Sequence, residues 1–187
     1  NMSNVKIAVL VGSLRKKSFT KTVVETVIKN SPKEMEYTLI DIGVLPIYNQ
    51  DLESENREPK EWLAFRDKIR GFDAVLFATP EHNRSVPAAL KNALDVGSRP
   101  YGQNVFNAKP AAVISVSPGA IGGFGANHHL RQVLAFLNMP VMAQPEAYIG
   151  NVMNVINPDG AITNENTVGF LKVFAESFLN HIKNNLK

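Results

Sequence analysis

The sequence predicts an α/β fold in which a five-stranded parallel sheet is covered by helices on both faces. Three observations carry this. The strand candidates are near-continuous apolar runs rich in β-branched residues, as expected of strands buried on both sides. They alternate with segments whose apolar residues recur at helical spacing. Five such units fit into 187 residues, a length that suits one domain with a single well-formed core.

Val5–Val11 (VKIAVLV) reads as the first strand. Thr20, Val24, Val27 and Ile28 then recur at helical spacing as far as Asn30-Ser31-Pro32, where proline stops the helix. Glu36–Ile42 (EYTLIDI) is the second strand, followed over 43–59 by a loop rich in Pro, Asn, Asp and Glu and longer than most connections. Its acidic part, 50–61, reads as a solvated flap. Trp62, Phe65 and Ile69 mark a helix ending at Gly71. Asp73–Pro80 (DAVLFATP) is the third strand, and Pro87 suits the first position of a helix carrying Leu90, Ala93 and Leu94. Ala111–Ser117 is the fourth strand, followed by a helix from about Gly125 to Asn138 bearing Leu130, Val133, Leu134 and Leu137. Pro140–Ile149 holds a shorter fifth strand. The last helix places Leu171, Phe174, Ala175, Phe178 and Ile182 on one face. These units match a flavodoxin-like three-layer sandwich of strand order 2-1-3-4-5 better than a six-stranded dinucleotide fold. The expected domain is 1–187, with residues 1–4 disordered or a tag remnant, because Asn1 ahead of Met2 reads as an expression scar.

Composition excludes several function classes. A 44% hydrophobic and 20% charged chain is globular. The net charge of +3 is dispersed, with no block of five cations, so nucleic acid is not an expected partner. The early apolar run is too short for a membrane span or a signal segment. With no cysteine, the chain has no disulfide, thiolate nucleophile, cysteine zinc site or iron–sulfur cluster, and a cytoplasmic location is expected. No G-x-S-x-G elbow supports a hydrolase. His128 and His129 are neighbours about 100° apart on a helix and lack a third ligand at helical spacing, so no metal is expected there; their helix is a candidate subunit interface.

Ligands of open α/β sheets bind at the carboxyl ends of the strands, which here carry three unusual loops. The first, Gly12–Thr20, combines Ser13, Arg15, Ser18 and Thr20 at the start of a helix, where free N–H groups favour an anion and a guanidinium grips phosphate. Ser18 is equally suited to capping that helix. The second, TPEHNRSVP from Thr79 to Pro87, is bracketed by prolines and reads as a rigid platform rather than a hairpin. Glu81, His82 and Asn83 form either an acid/base cluster or a backbone lining for a planar ligand. The third, SPGAIGGFG from Ser117 to Gly125, has four glycines in nine residues: a close approach or a mobile connector.

Taken together, GSLRKKS, TPEHNRSVPAALKNALD and SPGAIGGFGANHHLRQ resemble the NADPH-dependent FMN reductase family, in particular its quinone and chromate reductase branch. The resemblance spans roughly Lys6 to Gly150. It implies bound FMN, NADPH or NADH as electron donor, and a quinone, free flavin, chromate or other small molecule as acceptor. It also implies a homodimer or homotetramer with neither membrane nor nucleic acid involved. Carried onto this chain, the FMN phosphate falls on Ser13, Arg15, Ser18, Phe19 and Thr20. The ring falls on Pro80, Glu81, His82 and Asn83, with Ser117 and Gly119 at its pyrimidine end. No side chain is implied as catalytic, because the chemistry is the flavin's. Arg84 is a candidate for the NADPH 2′-phosphate. The family pattern at 80–83 is P-E-Y-N, so His82 departs from it, and an imidazole there is expected to add a pH dependence. The alternatives are a flavodoxin-type electron carrier or sensor with little turnover, and an azoreductase. The Arg-bearing loop and basic balance favour the enzyme.

Overall fold

Alternation along the first strand explains how the molecule is layered. The computed structural model describes residues 3–186; the expectation for Asn1 and Met2 lies outside the described residues, while Asn4 donates to the Glu36 carboxylate at 2.7 Å. In β1 (Val5–Val11), Ile7 and Val9 point to one face and Ala8 and Leu10 to the other, all fully buried. The first face packs against α1 (Phe19–Lys29) and, as described below, the last helix. Next come β2 (Met35–Leu39), α2 (Gln50–Ser54), α3 (Lys60–Arg70) and β3 (Ala74–Pro80). They are followed by α4 (Ala88–Gly97), β4 (Ala111–Val116), α5 (Phe124–Phe136), β5 (Ala147–Ile149) and α6 (Glu165–Asn185).

The sheet is parallel throughout, in the order β2-β1-β3-β4-β5. On one side Val23, Val27, Leu171, Phe174 and Phe178 of α1 and α6 cover Ile7, Val9 and Leu76. On the other, Trp62, Phe65, Leu90, Leu94, Leu130 and Leu134 of α3, α4 and α5 cover Leu10, Val75 and Phe77. Each such buried side chain contributes about 1.5–3 kcal/mol relative to exposure. This is the flavodoxin-like sandwich expected from the apolar runs. Among the described residues, no helix is long and apolar enough to cross a membrane.

Three local departures have physical causes. β2 stops at Leu39 because the Asp41 carboxylate accepts the Gly43 N–H at 2.9 Å and turns the chain. β5 is three residues long because Pro140 and Pro145 interrupt the 140–149 segment and supply no ladder N–H; Val141 makes only an isolated bridge to Ala111. Segment 43–59 is anchored at several points. Asn92 accepts from Tyr48 N–H at 2.9 Å and donates to the carbonyls of Leu45 and Pro46, and the Trp62 indole donates to Pro46 at 2.8 Å. The acidic part at 50–61 is a solvated flap only in part: Asp51 and Glu55 are exposed, whereas Glu53 pairs with half-buried Arg99 at 2.9 Å and Glu58 with fully buried Arg66.

Candidate functional site

Parallel register brings the ends of β1, β3 and β4 to one edge of the sheet. Gly12 extends β1 by donating to Ala78 at 2.8 Å. A side chain at Gly12 would meet Pro80 and Pro87 at 3.1 and 3.2 Å, so the first loop rests on both prolines of the second.

In the first loop, Ser18 caps α1, its hydroxyl accepting from Lys21 N–H at 3.1 Å. Ser18 and Thr20 are buried, and Phe19 packs against the core. Ser13 Oγ accepts from Arg15 N–H at a long 3.4 Å. The Arg15 guanidinium lies 5.2 Å from the Phe19 ring centroid. Among the described residues it has no carboxylate partner, and neither have Lys16 and Lys17. The first turn of α1 also carries no acidic residue. A guanidinium without a carboxylate partner, close to the positive end of a helix, has the charge and donors that suit an anion.

The second loop is a hairpin, contrary to the platform without one that its prolines predict. His82 and Ser85 exchange backbone hydrogen bonds at 2.9 and 3.0 Å, with Asn83 and Arg84 at φ 51° and 67° between them. Positive φ at both central residues is the type I′ pattern, whose twist suits a two-residue connection. Arg84 is an unusual occupant, and its backbone costs about 1–3 kcal/mol. The loop is held down by its own side chains. One Glu81 oxygen accepts from Ala126 N–H at 3.2 Å in the first turn of α5, while the other lies 3.5 Å from Arg84. Ser85 Oγ meets His129 Nδ1 at 2.8 Å. These contacts draw the loop so close that a Cβ at Gly125 would lie 2.5 Å from the Arg84 carbonyl. Glu81 is therefore committed to α5. His82 and Asn83 stay exposed, with no side-chain hydrogen bond among the described residues, and Pro80 is half-buried.

The third loop spends most of its glycines on its own packing. Gly122 has φ 67°, and a Cβ there would sit 2.8 Å from the Tyr148 backbone. By contrast, a Cβ at Gly119 would meet only Ser117 Oγ, at 3.5 Å. Ser117 Oγ accepts from Gly119 N–H at 3.1 Å, which shapes the open end of the loop. Two residues the motif reading missed hold this loop from below. Buried Ser115 donates to Gly122 at 2.7 Å and accepts from buried Asn127, whose own oxygen accepts from Arg131 at 2.8 Å. The sequence signal was an asparagine on the otherwise apolar face of Ala126, Leu130 and Leu134.

His128 and His129 diverge, the first meeting Tyr148 Oη at 2.7 Å and the second reaching Ser85. Tyr148 donates to Glu146. Burial first, then the neighbouring Glu146 carboxylate, pushes the Tyr148 phenol up to about 12. Phe124 stacks on His128 at 4.3 Å between centroids and leaves an exposed aromatic face on α5.

Comparison with known proteins agrees with this geometry. Residues 5–154 match the model of the NADPH-dependent FMN reductase family. The chain is 52% identical over 185 residues to a quinone reductase of Pseudomonas putida, covering 98% of each chain. It is 44% identical over 174 residues to a 2-hydroxy-1,4-benzoquinone reductase of a Burkholderia species, covering 93% of this chain and 94% of that one. Among solved structures, it superimposes with a TM-score of 0.89 on the flavoenzyme NAD(P)H:(acceptor) oxidoreductase FerB of Paracoccus denitrificans. That protein is 41% identical, with 97% of this chain and 98% of that chain covered.

Proposed function

The chain belongs to the NADPH-dependent FMN reductase family and is an FMN-dependent NAD(P)H oxidoreductase, and from that premise we propose that its acceptors are quinones and that the three loops form its flavin site. The observation that carries the site is the unpaired Arg15 guanidinium at the start of α1, in the loop that rests on Pro80 and Pro87. The donor set fits FMN. Arg15, Ser13 and the N–H groups around Ser18, Phe19 and Thr20 would hold its phosphate. Pro80 and the backbone of Glu81, His82 and Asn83 would line its ring, and the open turn at Ser117 and Gly119 would meet the pyrimidine end.

FMN supplies the hydride chemistry between the nicotinamide and the quinone. The protein's share is binding and orientation. Arg15 neutralises the phosphate. The Glu81–Ala126 bond fixes the hairpin, so that the backbone at 80–83 keeps one position. The turn at 117–119 would meet the ring by shape rather than by donation, because Ser117 N–H is bonded to the Ile149 carbonyl, Gly119 N–H to Ser117 Oγ, and Pro118 has no N–H. Exposed Arg84 is the candidate contact for the NADPH 2′-phosphate. The assembly is a homodimer or homotetramer, a reading supported by exposed Phe124 and by Phe136, which is 90% exposed. The proposed location is the cytoplasm.

Anaerobic stopped-flow mixing of the FMN-loaded protein with NADPH, and separately NADH, tests the reading. Rapid loss of flavin absorbance, restored by a benzoquinone, is the expected result. FMN binding with no response to either nicotinamide would instead mean a carrier, and no FMN binding would overturn the site.

A further inference from the structure

Resting on the flavin-site reading above, we propose that Ser115 is a positioning residue for the flavin ring, and that Asn127 and Arg131 direct its hydroxyl proton onto the Gly122 carbonyl. These side chains lie beneath the third loop and outside the stretches that would touch the cofactor. Ser115 is the polar residue of β4 (AAVISV) and Asn127 interrupts the apolar face of α5; both are fully buried. Burying polar side chains in that setting is costly unless each donor and acceptor is matched. Here every one is matched, and the matching has a direction.

A guanidinium only donates, so the Asn127 atom that Arg131 Nε reaches at 2.8 Å is the amide oxygen. Arg131 is itself fixed by donating to the Met142 carbonyl at 3.1 Å. The Asn127 amide nitrogen then faces the Ala147 carbonyl at 3.3 Å and Ser115 Oγ at 3.2 Å. With that lone pair taken, the Ser115 proton goes to a carbonyl, and Gly122 at 2.7 Å is nearer than Ala147 at 3.4 Å. Gly122 and Gly123 have φ 67° and 74°, so the preferences of these glycines do not fix the peptide between them. Gly122 N–H closes its turn only loosely, on the Gly119 carbonyl at 3.4 Å. The Ser115 hydroxyl is thus the short bond at the closing end of the loop. At the opening end, Asn151 N–H holds the Gly119 carbonyl at 3.0 Å and Val152 N–H holds that of Ser117 at 3.2 Å. The turn at 117–119 sits between these anchors, and releasing the Gly122 end lets it shift against the ring.

Titration with FMN and with riboflavin tests this, with urea midpoints to show that each variant is folded. Asn127→Asp keeps the side chain's size and gives Arg131 a carboxylate, but it replaces the amide donor by an acceptor that draws the Ser115 proton away from Gly122. Ser115→Ala removes that proton outright. Each is expected to weaken both flavins alike, by about tenfold, because the ring and not the phosphate loses its support. The double variant should lose no more than either alone, as one shared bond requires. At saturating FMN, the absorbance bands of the bound flavin are expected to shift in the same direction in both single variants. Asn127→Leu leaves the Ser115 proton on Gly122, so it should cost stability yet keep both affinities within about twofold. Undiminished flavin binding by Ser115→Ala would overturn the proposal, and that smaller change decides alone if a variant at 127 does not fold. So would additive losses in the double variant, a loss for FMN only, or an Asn127→Leu loss equal to that of Asn127→Asp, which would reduce Asn127 to packing. Failure of the flavin-site reading looks different: the wild-type protein itself then takes up no FMN.

Discussion

In the loop after β1, Arg15, Lys16 and Lys17 pair with no carboxylate among the described residues, and Ser18 is committed to its own helix. In the loops after β3 and β4, several polar groups are spent within the protein, while His82 and Asn83 stay exposed. Glu81 holds Ala126, Ser85 holds His129, and Ser115 with Asn127 holds the Gly122 carbonyl. The first region keeps charge available for a ligand. The second uses charge to immobilise backbone, which then becomes the binding surface. On the proposed reading, one loop would recognise the flavin by side chain and the other two by shape.

The largest effect is expected within the loop after β4, where a packed glycine and an open one can be compared. Gly122→Ala forces a Cβ to within 2.8 Å of the Tyr148 backbone at φ 67°, and a stability loss of about 3 kcal/mol is expected in denaturant unfolding. Gly119→Ala, on the open side, should leave stability within about 0.5 kcal/mol and weaken flavin binding instead. Glu81→Ala strands the Ala126 N–H and should cost about 1 kcal/mol. Glu81→Gln retains an acceptor there and should recover most of that loss.

A smaller effect is expected outside the loops, in the strap that supports them. Burial pushes the Glu53 carboxyl up, but hydrogen bonds from Arg99 and Tyr48 outweigh it and leave the group below the usual carboxylate range. The native state thus binds fewer protons there than the unfolded chain. Its stabilisation is complete above the unfolded value and disappears as pH falls through the folded one. Glu53→Gln should therefore flatten the acid limb of stability below about pH 4, as followed by urea midpoints across pH. The least perturbing change is His82→Tyr, at an exposed position whose backbone carries the hairpin. Stability and FMN affinity should both be unaltered, as urea midpoints and a flavin titration would show; weaker FMN binding would mean that the side chain, and not only the backbone, contacts the ring.

The sheet order was legible because strands buried on both faces show as unbroken apolar runs, as in VKIAVLV and AAVISV. The candidate site was legible because three polar loops, two of them glycine-bearing, follow three such runs. What each side chain does was less so. Glu81 reads as a candidate acid until α5, more than forty residues later, supplies the N–H that claims it. The acidic part at 50–61 reads as solvated because Arg99, the partner of Glu53, lies far along the chain, and nothing in the local pattern marks Arg66 as the buried partner of Glu58. Likewise, the glycines of 117–125 look like ligand contacts, although the backbones that Gly122 and Gly125 must approach, at Tyr148 and Arg84, are distant in sequence. Short-range pattern reveals where polar groups gather, and long-range pairing decides which remain free.

The measurement that bears most directly on this division compares FMN with riboflavin, which lacks the phosphate, in wild type and in Arg15→Ala. The account predicts that Arg15→Ala weakens FMN by about 1.5–3 kcal/mol and leaves riboflavin affinity unchanged, so that the preference for the phosphorylated flavin largely disappears. An equal loss for both ligands would place Arg15 against the ring or the fold rather than the phosphate, and would contradict it.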